Sequence, residues 1–363
     1  MQEMDRELAY AHGGMEAVLK EAVARDVRDI FLIAGLPITY KIGNSQVRLD
    51  RPRLKPDDIR LCVDDIYAIS CRDRKNVDAG LDDDFSFALQ GTGRFRVNVF
   101  RQRGSLAAVI RVIRFGLPDP RALGIPESVL SFADTKKGLV LITGTAGSGK
   151  STTLACLVDR INHTREAHII TMEDPIEYIH QHKRSIVTQR EISIDTPGYM
   201  ESLRSALRES PDVILLGEMR DYDTISSAIT SAETGVLLFS TLHTSSAANT
   251  IHRILDVFPA SQQQQVKIQL AQLLKGIVCQ QLVPSVDGSL IPVFEIMKST
   301  PAIQNMIRED KLHQLESAMM AGSADGMCTM DGSLLRLYRE GRISKDTALV
   351  SCANYENMAK RLG

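Results

Sequence analysis

The sequence that decides the fold lies between residues 144 and 152 and reads Gly144-Thr145-Ala146-Gly147-Ser148-Gly149-Lys150-Ser151-Thr152. It fits the pattern G-x-x-x-x-G-K-[ST], and we call it the phosphate loop because this pattern wraps the phosphates of a nucleotide. Its glycines leave backbone N–H groups free to point at the β-phosphate. Lys150 supplies a positive charge for the β- and γ-phosphate oxygens, and the Ser151 hydroxyl can ligate Mg²⁺. The sequence therefore predicts binding of ATP with Mg²⁺.

The residues on either side of the phosphate loop predict a buried strand before it and a helix after it. Residues 138–142 form a short apolar run, which is typical of a buried strand. From Ser151 onward, Leu154, Leu157 and Ile161 recur at helical spacing. Strand, loop and helix in this order place phosphates at a helix N-terminus, which disfavours the alternative of a plain glycine-rich turn.

Composition excludes several other classes of protein. The chain has 363 residues, a net charge of −2 and 44% apolar residues, which suits a globular protein of two or three domains. Its N-terminus lacks the apolar run of a signal peptide, and no apolar stretch approaches the roughly 20 residues that cross a bilayer. The six cysteines never form C-x-x-C, so we expect no zinc site, no disulfide framework and a cytosolic location.

Pattern changes along the chain predict two domains. Residues 1–115 mix an amphipathic helix near Met15 with short strands, as in a small α+β domain with an antiparallel sheet. Residues 116–126 are the predicted linker, since the segment Gly116-Leu117-Pro118-Asp119-Pro120 interrupts both the helical and the strand spacing of apolar residues. Residues 127–363 are the predicted P-loop domain.

Apolar strands and amphipathic helices alternate in the first part of that second domain. Strands are predicted at 138–142, 168–172, 212–217 and 236–242, with helices at 222–232 and 246–258 among them. This alternation predicts an α/β fold whose parallel sheet is covered on both faces. We expect the last hundred residues to be mostly helical, on the helical spacing of apolar residues between 266 and 277.

Three polar groups follow predicted strands at the edge where an open α/β sheet binds its ligands. The acidic segment 173–177 could orient water or hold waters of the metal, although an acidic turn is the plain alternative. Glu218 should lie beside Mg²⁺ and the γ-phosphate as a base or water-positioning group, unless it simply ends a buried strand. His243 could report loss of the γ-phosphate, although a lone histidine is more often a packing residue.

An arginine-rich segment without acids lies between residues 91 and 117. A turn centred on Arg103-Gly104 would place Arg96 directly opposite Arg111 on one sheet face. Facing arginines repel unless an anion lies between them, and a γ-phosphate from another subunit would be such an anion. A solvated face and a nucleic-acid patch are the alternatives, the latter disfavoured because no exposed aromatic series accompanies the arginines.

Taken together, these motifs resemble the secretion ATPases, and within them the retraction ATPases of type IV pili, the PilT family. The resemblance covers about residues 5–350 and is carried by the phosphate loop, by residues 171–177, by residues 216–221 and by residues 241–244. Residues 302–309 are similar to the retraction signature A-I-R-N-L-I-R-E, with Gln304 replacing an arginine and Met306 a leucine. The resemblance implies a PAS-like N-terminal domain, a RecA-like core and a homohexameric ring.

The resemblance also implies roles for individual residues. Lys150 and Ser151 would bind phosphates and Mg²⁺, with Glu218 as the catalytic glutamate beside the metal. Glu177 would assist water or metal, and His243 would couple the γ-phosphate to motion. The implied arginine fingers are Arg96 and Arg111.

The implied function is ATP hydrolysis that powers pilus retraction and twitching motility through an inner-membrane platform protein. A paralogous pilus ATPase is a further candidate partner, no nucleic acid is expected, and the location would be the inner face of the cytoplasmic membrane. The alternatives are a pilus-extension or type II or IV secretion ATPase and a nucleotide-gated regulator with little turnover. A DNA translocase is weaker, since no DNA-reading module is visible.

Overall fold

The computed structural model describes residues 14–43, 45–113 and 116–363. The first thirteen residues of the predicted N-terminal domain, together with Asn44, Arg114 and Phe115, lie outside the described residues. The chain divides into two compact units, which are described separately. The first runs to Gly116 and includes Glu177–Ile179, and the second comprises Leu117–Ile176 and His180–Gly363.

The first unit contains a six-stranded antiparallel sheet with strand order β3-β2-β1-β6-β5-β4. Its strands are β1 (Asp29–Leu32), β2 (Thr39–Ile42), β3 (Ser45–Arg48), β4 (Asp83–Leu89), β5 (Gly93–Gln102) and β6 (Ser105–Ile113). Its helices are α1 (Gly14–Ala24), α2 (Pro56–Ile69) and α3 (Lys75–Asp78).

Alternate residues along most of β5 are buried, which shows which face of this sheet packs against the helices. Along β5, Phe95, Val97 and Val99 are buried, and the residues between them are only partly buried. The buried face joins the apolar faces of α1 and α2 in one hydrophobic cluster. The predicted antiparallel sheet and the amphipathic helix near Met15 are thus confirmed.

The second unit contains a seven-stranded sheet with strand order β13-β12-β7-β11-β10-β8-β9. All of its pairings are parallel except that of β12 with β13. The strands are β7 (Gly138–Thr143), β8 (His168–Glu173), β9 (Ile186–Glu191), β10 (Val213–Leu216), β11 (Leu237–Leu242), β12 (Leu274–Pro284) and β13 (Leu290–Lys298).

The helices of this unit are α4 (Glu127–Leu130), α5 (Lys150–Thr164), α6 (Tyr199–Ala206), α7 (Tyr222–Glu233), α8 (Ala247–Asp256), α9 (Ala260–Leu273), α10 (Pro301–Arg308), α11 (Leu315–Ala321), α12 (Met330–Arg339), α13 (Lys345–Ser351) and α14 (Tyr355–Leu362). Short 3₁₀ turns lie at Ser131–Asp134, Leu312–Gln314 and Ser323–Asp325. Within the described ranges, no helix combines the length and the apolar character that spanning a membrane requires.

Both faces of the sheet are covered, as the apolar strands predict. Leu139 and Leu141 of β7 belong to one hydrophobic cluster, whereas Val140 and Ile142 belong to another on the opposite face. Because alternate residues of a strand point to opposite faces, a strand with apolar residues at every position must be buried on both. The predicted α/β fold with a parallel sheet is confirmed.

The predicted helical C-terminal region is wrong over residues 274–298, which form the long hairpin of β12 and β13. The helix α9 ends at Leu273, and Leu274 is already extended. A strand buried on both faces is apolar at nearly every position, so Ile277 matched a helical spacing by coincidence. The pairing of β12 with β7 across more than 130 residues is a non-local contact that local periodicity does not encode.

Candidate nucleotide-binding site

The phosphate loop connects the end of β7 to the first turn of α5. Three of its glycines have positive φ, which are +143° at Gly144, +76° at Gly147 and +88° at Gly149. Because residues with a Cβ rarely adopt these values, the sequence has glycine where the chain must turn. A Cβ at residue 144 would in addition collide with the carbonyl oxygen of Gln280.

Lys150 lies almost fully buried inside the loop, with 8% of its surface exposed. Its Nζ donates to the carbonyl oxygens of Gly144 at 2.8 Å and Thr145 at 2.9 Å. The Ser148 hydroxyl is also buried and has no hydrogen-bond partner among the described residues. A buried ammonium, an unsatisfied hydroxyl and a helix N-terminus fit an anion such as a phosphate group. Ser151 and Thr152, only partly buried, begin the helix beside it.

The predicted catalytic groups lie at the carboxyl ends of the neighbouring strands. Because β7, β11, β10 and β8 are adjacent in the sheet, the loop, His243, Glu218 and Glu173 follow one another along a single edge. Glu218 Oε2 lies 3.5 Å from His243 Nε2, and Glu218 Oε1 lies 2.5 Å from Arg220 Nη2. The structure thus brings Glu218 and His243 together, as the motifs predict.

The backbone around Glu218 is fixed to both neighbouring strands. The Gly217 N–H donates to the Met172 carbonyl at 2.8 Å, and the Thr241 hydroxyl donates to the Gly217 carbonyl at 2.7 Å. The Met219 N–H donates to the Thr241 carbonyl at 3.1 Å. These bonds fix the backbone on both sides of Glu218, which suits a side chain that must orient one water molecule.

The acidic segment 173–177 divides between two environments. Glu173 ends β8 and accepts hydrogen bonds from the Thr171 hydroxyl at 2.7 Å and from the Gln189 amide at 3.3 Å. Glu177 is exposed and belongs, with Tyr178 and Ile179, to the first unit.

Two residues near Glu218 were not predicted. Tyr199 begins α6, and its hydroxyl lies 2.8 Å from the position that a Cβ on Gly217 would occupy. Burial, followed by the negative charges of Glu218 and Asp174, raises the pKa of Tyr199, so its hydroxyl stays protonated. Arg220 could have been found from its place two residues after Glu218, whereas nothing in the sequence connects Tyr199 to the site.

The predicted register of the arginine segment is confirmed. The turn lies at Arg103-Gly104, and Arg96 on β5 pairs directly with Arg111 on β6. Each arginine has a carboxylate of its own as an anionic partner, which the spacing of the arginine segment does not predict. Arg96 Nε and Nη2 donate to Asp84 at 3.0 and 2.5 Å, and Arg111 Nε donates to Asp29 at 2.9 Å. Both guanidinium groups remain partly exposed, at 36% and 54%.

Comparison with known proteins agrees with this geometry. Residues 15–324 match the family model described as type II/IV secretion system protein. The chain belongs to that family. It also has the RecA-like fold of the secretion ATPases, as the resemblance implies.

Individual relatives are similar over most of their length. The type IV pilus retraction ATPase PilT of Pseudomonas aeruginosa is 45% identical over 320 residues, which are 88% of this chain and 92% of the relative. A twitching motility protein of Neisseria gonorrhoeae is 43% identical over 320 residues, covering 88% of this chain and 85% of the relative. A crystal structure of the pilus retraction motor PilT with bound ADP superposes with a TM-score of 0.88, at 43% identity, over 96% of this chain and all of the other.

Proposed function

We propose that this chain is an ATPase that powers type IV pilus retraction, the movement behind twitching motility. The observation that carries the proposal is the buried Glu218 carboxylate, which lies at the same sheet edge as the phosphate loop, two strands away, and contacts His243. The similarity to retraction ATPases supports the biological setting. Nucleotide binding gains support from a cavity of about 650 Å³ that adjoins Gly149 and Thr152.

In the proposed reaction, the loop N–H groups and Lys150 hold the triphosphate of ATP. Lys150 would then exchange the loop carbonyls that it now contacts for phosphate oxygens, which attract it more strongly. Glu218 accepts a hydrogen bond from the attacking water and orients it for in-line displacement. Ser151 and Glu218 would hold Mg²⁺, which when bound would neutralise charge on the β- and γ-phosphates.

His243 is the proposed link between hydrolysis and motion. It is half exposed and weakly paired with Glu218 at 3.5 Å, so a change of charge at the γ-phosphate can displace it. Glu177 is proposed to assist water or metal.

The proposed working form is a homohexameric ring in which one subunit completes the site of the next. Arg96 and Arg111 are the proposed in-trans fingers, because both are partly exposed and hold carboxylates that a γ-phosphate can replace. Such a ring would act at the inner face of the cytoplasmic membrane on a platform protein of the pilus. A paralogous pilus ATPase is a further proposed partner.

The test is deletion of the gene in its host, followed by complementation with the wild-type chain or the Glu218→Gln variant. We expect excess surface pili and no twitching in the deletion strain, with rescue by the wild type only. Loss of pili would instead indicate an extension motor, and unchanged pili with defective secretion would indicate a secretion ATPase. Rescue by Glu218→Gln would indicate a nucleotide-gated regulator.

A further inference from the structure

Gln280 lies on β12, one position beyond the last pairing of that strand with β7. In this pairing Cys279 is opposite Thr143, so Gln280 comes next to Gly144, the first residue of the phosphate loop. Gln280 is 4% exposed. In the sheet, β12 lies on one side of β7, whereas β11 and then β10, which Glu218 follows, lie on the other side, so Gln280 and Glu218 lie on opposite sides of β7.

Both ends of the loop rest on this one residue. At the first end, the Gln280 carbonyl oxygen occupies the space that a Cβ on Gly144 would need. At the second end, the Gln280 amide nitrogen lies 2.8 Å from the place where a Cβ on Gly149 would be. The amide oxygen, Oε1, accepts a hydrogen bond of 2.7 Å from the hydroxyl of Thr153, which is itself fully buried in the first turn of α5.

A loop of this kind needs an external support. Its three glycines with positive φ lose more conformational freedom on ordering than other residues would. The loop binds phosphate well only if its N–H groups already point inward, since ordering them upon binding would weaken the affinity. Lys150 supports the loop from inside, through the carbonyls of Gly144 and Thr145. Gln280 supports it from outside, at both ends.

We propose that Gln280 is a positioning residue for nucleotide binding, whose side-chain amide holds the phosphate loop in its binding conformation through Thr153. This inference rests on the proposed function only in requiring that the chain binds nucleotide. Gln280 contacts the phosphate loop and the first turn of α5, and it makes no proposed contact with Glu218. It therefore affects how tightly nucleotide binds and has little effect on how fast the bound nucleotide reacts.

The experiment measures the Kd for a fluorescent ADP analogue with Mg²⁺, and KM and kcat for ATP, in full-length variants. Gln280→Leu removes the amide, and Thr153→Val removes the hydroxyl at almost unchanged volume. We expect each to raise Kd and KM about tenfold, since a buried polar group loses its partner, while kcat changes less than about twofold. The double variant should bind nucleotide as tightly as the single variant with the lower affinity, because both substitutions break the same hydrogen bond.

Two controls separate positioning from packing. Thr153→Ser keeps the hydroxyl and should retain wild-type affinity within about twofold. Gln281→Leu alters the next residue of β12, whose amide donates to the Ser351 carbonyl at 3.1 Å, and should also leave Kd unchanged. If Gln280→Leu does not fold, the comparison of Thr153→Val with Thr153→Ser still decides the question.

Wild-type affinity in both Gln280→Leu and Thr153→Val would overturn the inference. Additive losses in the double variant would do the same, because the two side chains would then act separately. A wild-type chain that binds no nucleotide would contradict the proposed function itself, which is a different result from intact variants of a chain that does bind.

Discussion

Glu218 and Glu295 lie in the same unit and are similarly buried, at 9% and 6% exposure, yet their surroundings differ completely. The partners of Glu218 are two exposed side chains, Arg220 and His243. Glu295, on β13, instead accepts from the N–H of Ala247 at 2.7 Å and from that of Met330 at 3.3 Å, and the buried Cys279 thiol is a further partner. Ala247 and Met330 are the first residues of α8 and α12.

The difference separates a carboxylate available for chemistry from one that holds the fold. Exposed side chains can move aside when a substrate arrives, whereas the N–H groups at a helix start are fixed in place. Glu295 therefore joins two helix N-termini to the sheet edge. Burial raises the pKa of Glu295, although its two backbone donors oppose the shift, so the carboxylate depends on those bonds.

The largest effect expected from the difference between Glu218 and Glu295 is a loss of turnover when Glu218 is changed. Glu218→Gln keeps the shape of the side chain but removes the charge that orients water. We expect kcat to fall about 100- to 10,000-fold while the Kd for ATP changes less than about threefold. Steady-state hydrolysis and equilibrium binding measure the two quantities. The exposed Glu356 provides the control, and Glu356→Gln should match the wild type. Equal kcat in Glu218→Gln and wild type would show that Glu218 is not catalytic.

The matching change at Glu295 should act on stability instead. Glu295→Ala leaves two buried N–H groups without acceptors, so we expect the free energy of unfolding to fall by about 3 kcal/mol. Urea unfolding measures this loss, with the exposed Glu356→Ala as the control. Turnover per folded molecule should stay within about threefold of wild type. A Glu295→Ala variant that is as stable as the wild type but inactive would show that Glu295 acts in catalysis and not in stability.

His180 extends the contrast to a buried ionisable group whose Nδ1 has no hydrogen-bond partner among the described residues. Burial lowers the pKa of His180 to about 4. Below about pH 6.5 the imidazole is therefore protonated in the unfolded chain but stays neutral in the folded chain. Because the unfolded state binds the extra proton, the free energy of unfolding falls as the pH drops from 6.5 towards 4.

Removing this histidine should flatten the pH dependence. Between pH 7 and pH 5 the wild type should lose about 2 kcal/mol more than His180→Asn. The exposed His252→Asn is the control and should behave like the wild type. Unfolding titrations at both pH values provide the measurement, and parallel curves for all three proteins would mean that His180 is not held neutral by the fold.

The smallest expected effect concerns Arg220, which makes the shorter contact to Glu218 but is 71% exposed. Because exposed ion pairs contribute little, Arg220→Gln should change the free energy of unfolding by less than about 0.5 kcal/mol. Thermal melts of Arg220→Gln and wild type would test this. A loss comparable with that of Glu295→Ala would show that the two carboxylates do not differ in kind.

The sequence predicts the parts of the site whose chemistry depends on local spacing. The phosphate loop, Glu218 and His243 each follow an apolar strand directly, and parallel strands bring their carboxyl ends to one edge. The facing pair of Arg96 and Arg111 could be predicted for a similar reason, since a tight hairpin turn fixes the register of its two strands.

The parts that escaped prediction depend on pairing between distant segments. Asp29, the partner of Arg111, lies 82 residues before it. Gln280 reaches the phosphate loop only because β12 adds to the sheet beside β7, whereas the spacing of apolar residues at the start of β12 predicts a helix. Burial on both faces hides the period-two signal, so the apolar run alone did not reveal the strand.

We propose that this ATPase completes its site across two subunits. Mixed assemblies of Arg96→Ala and Glu218→Gln test it most directly, because a subunit with an intact glutamate then meets a neighbour with an intact arginine. We expect each variant alone to hydrolyse ATP at a small fraction of the wild-type rate, and the mixture to regain a rate well above their sum. A mixture no faster than its two components would contradict the claim.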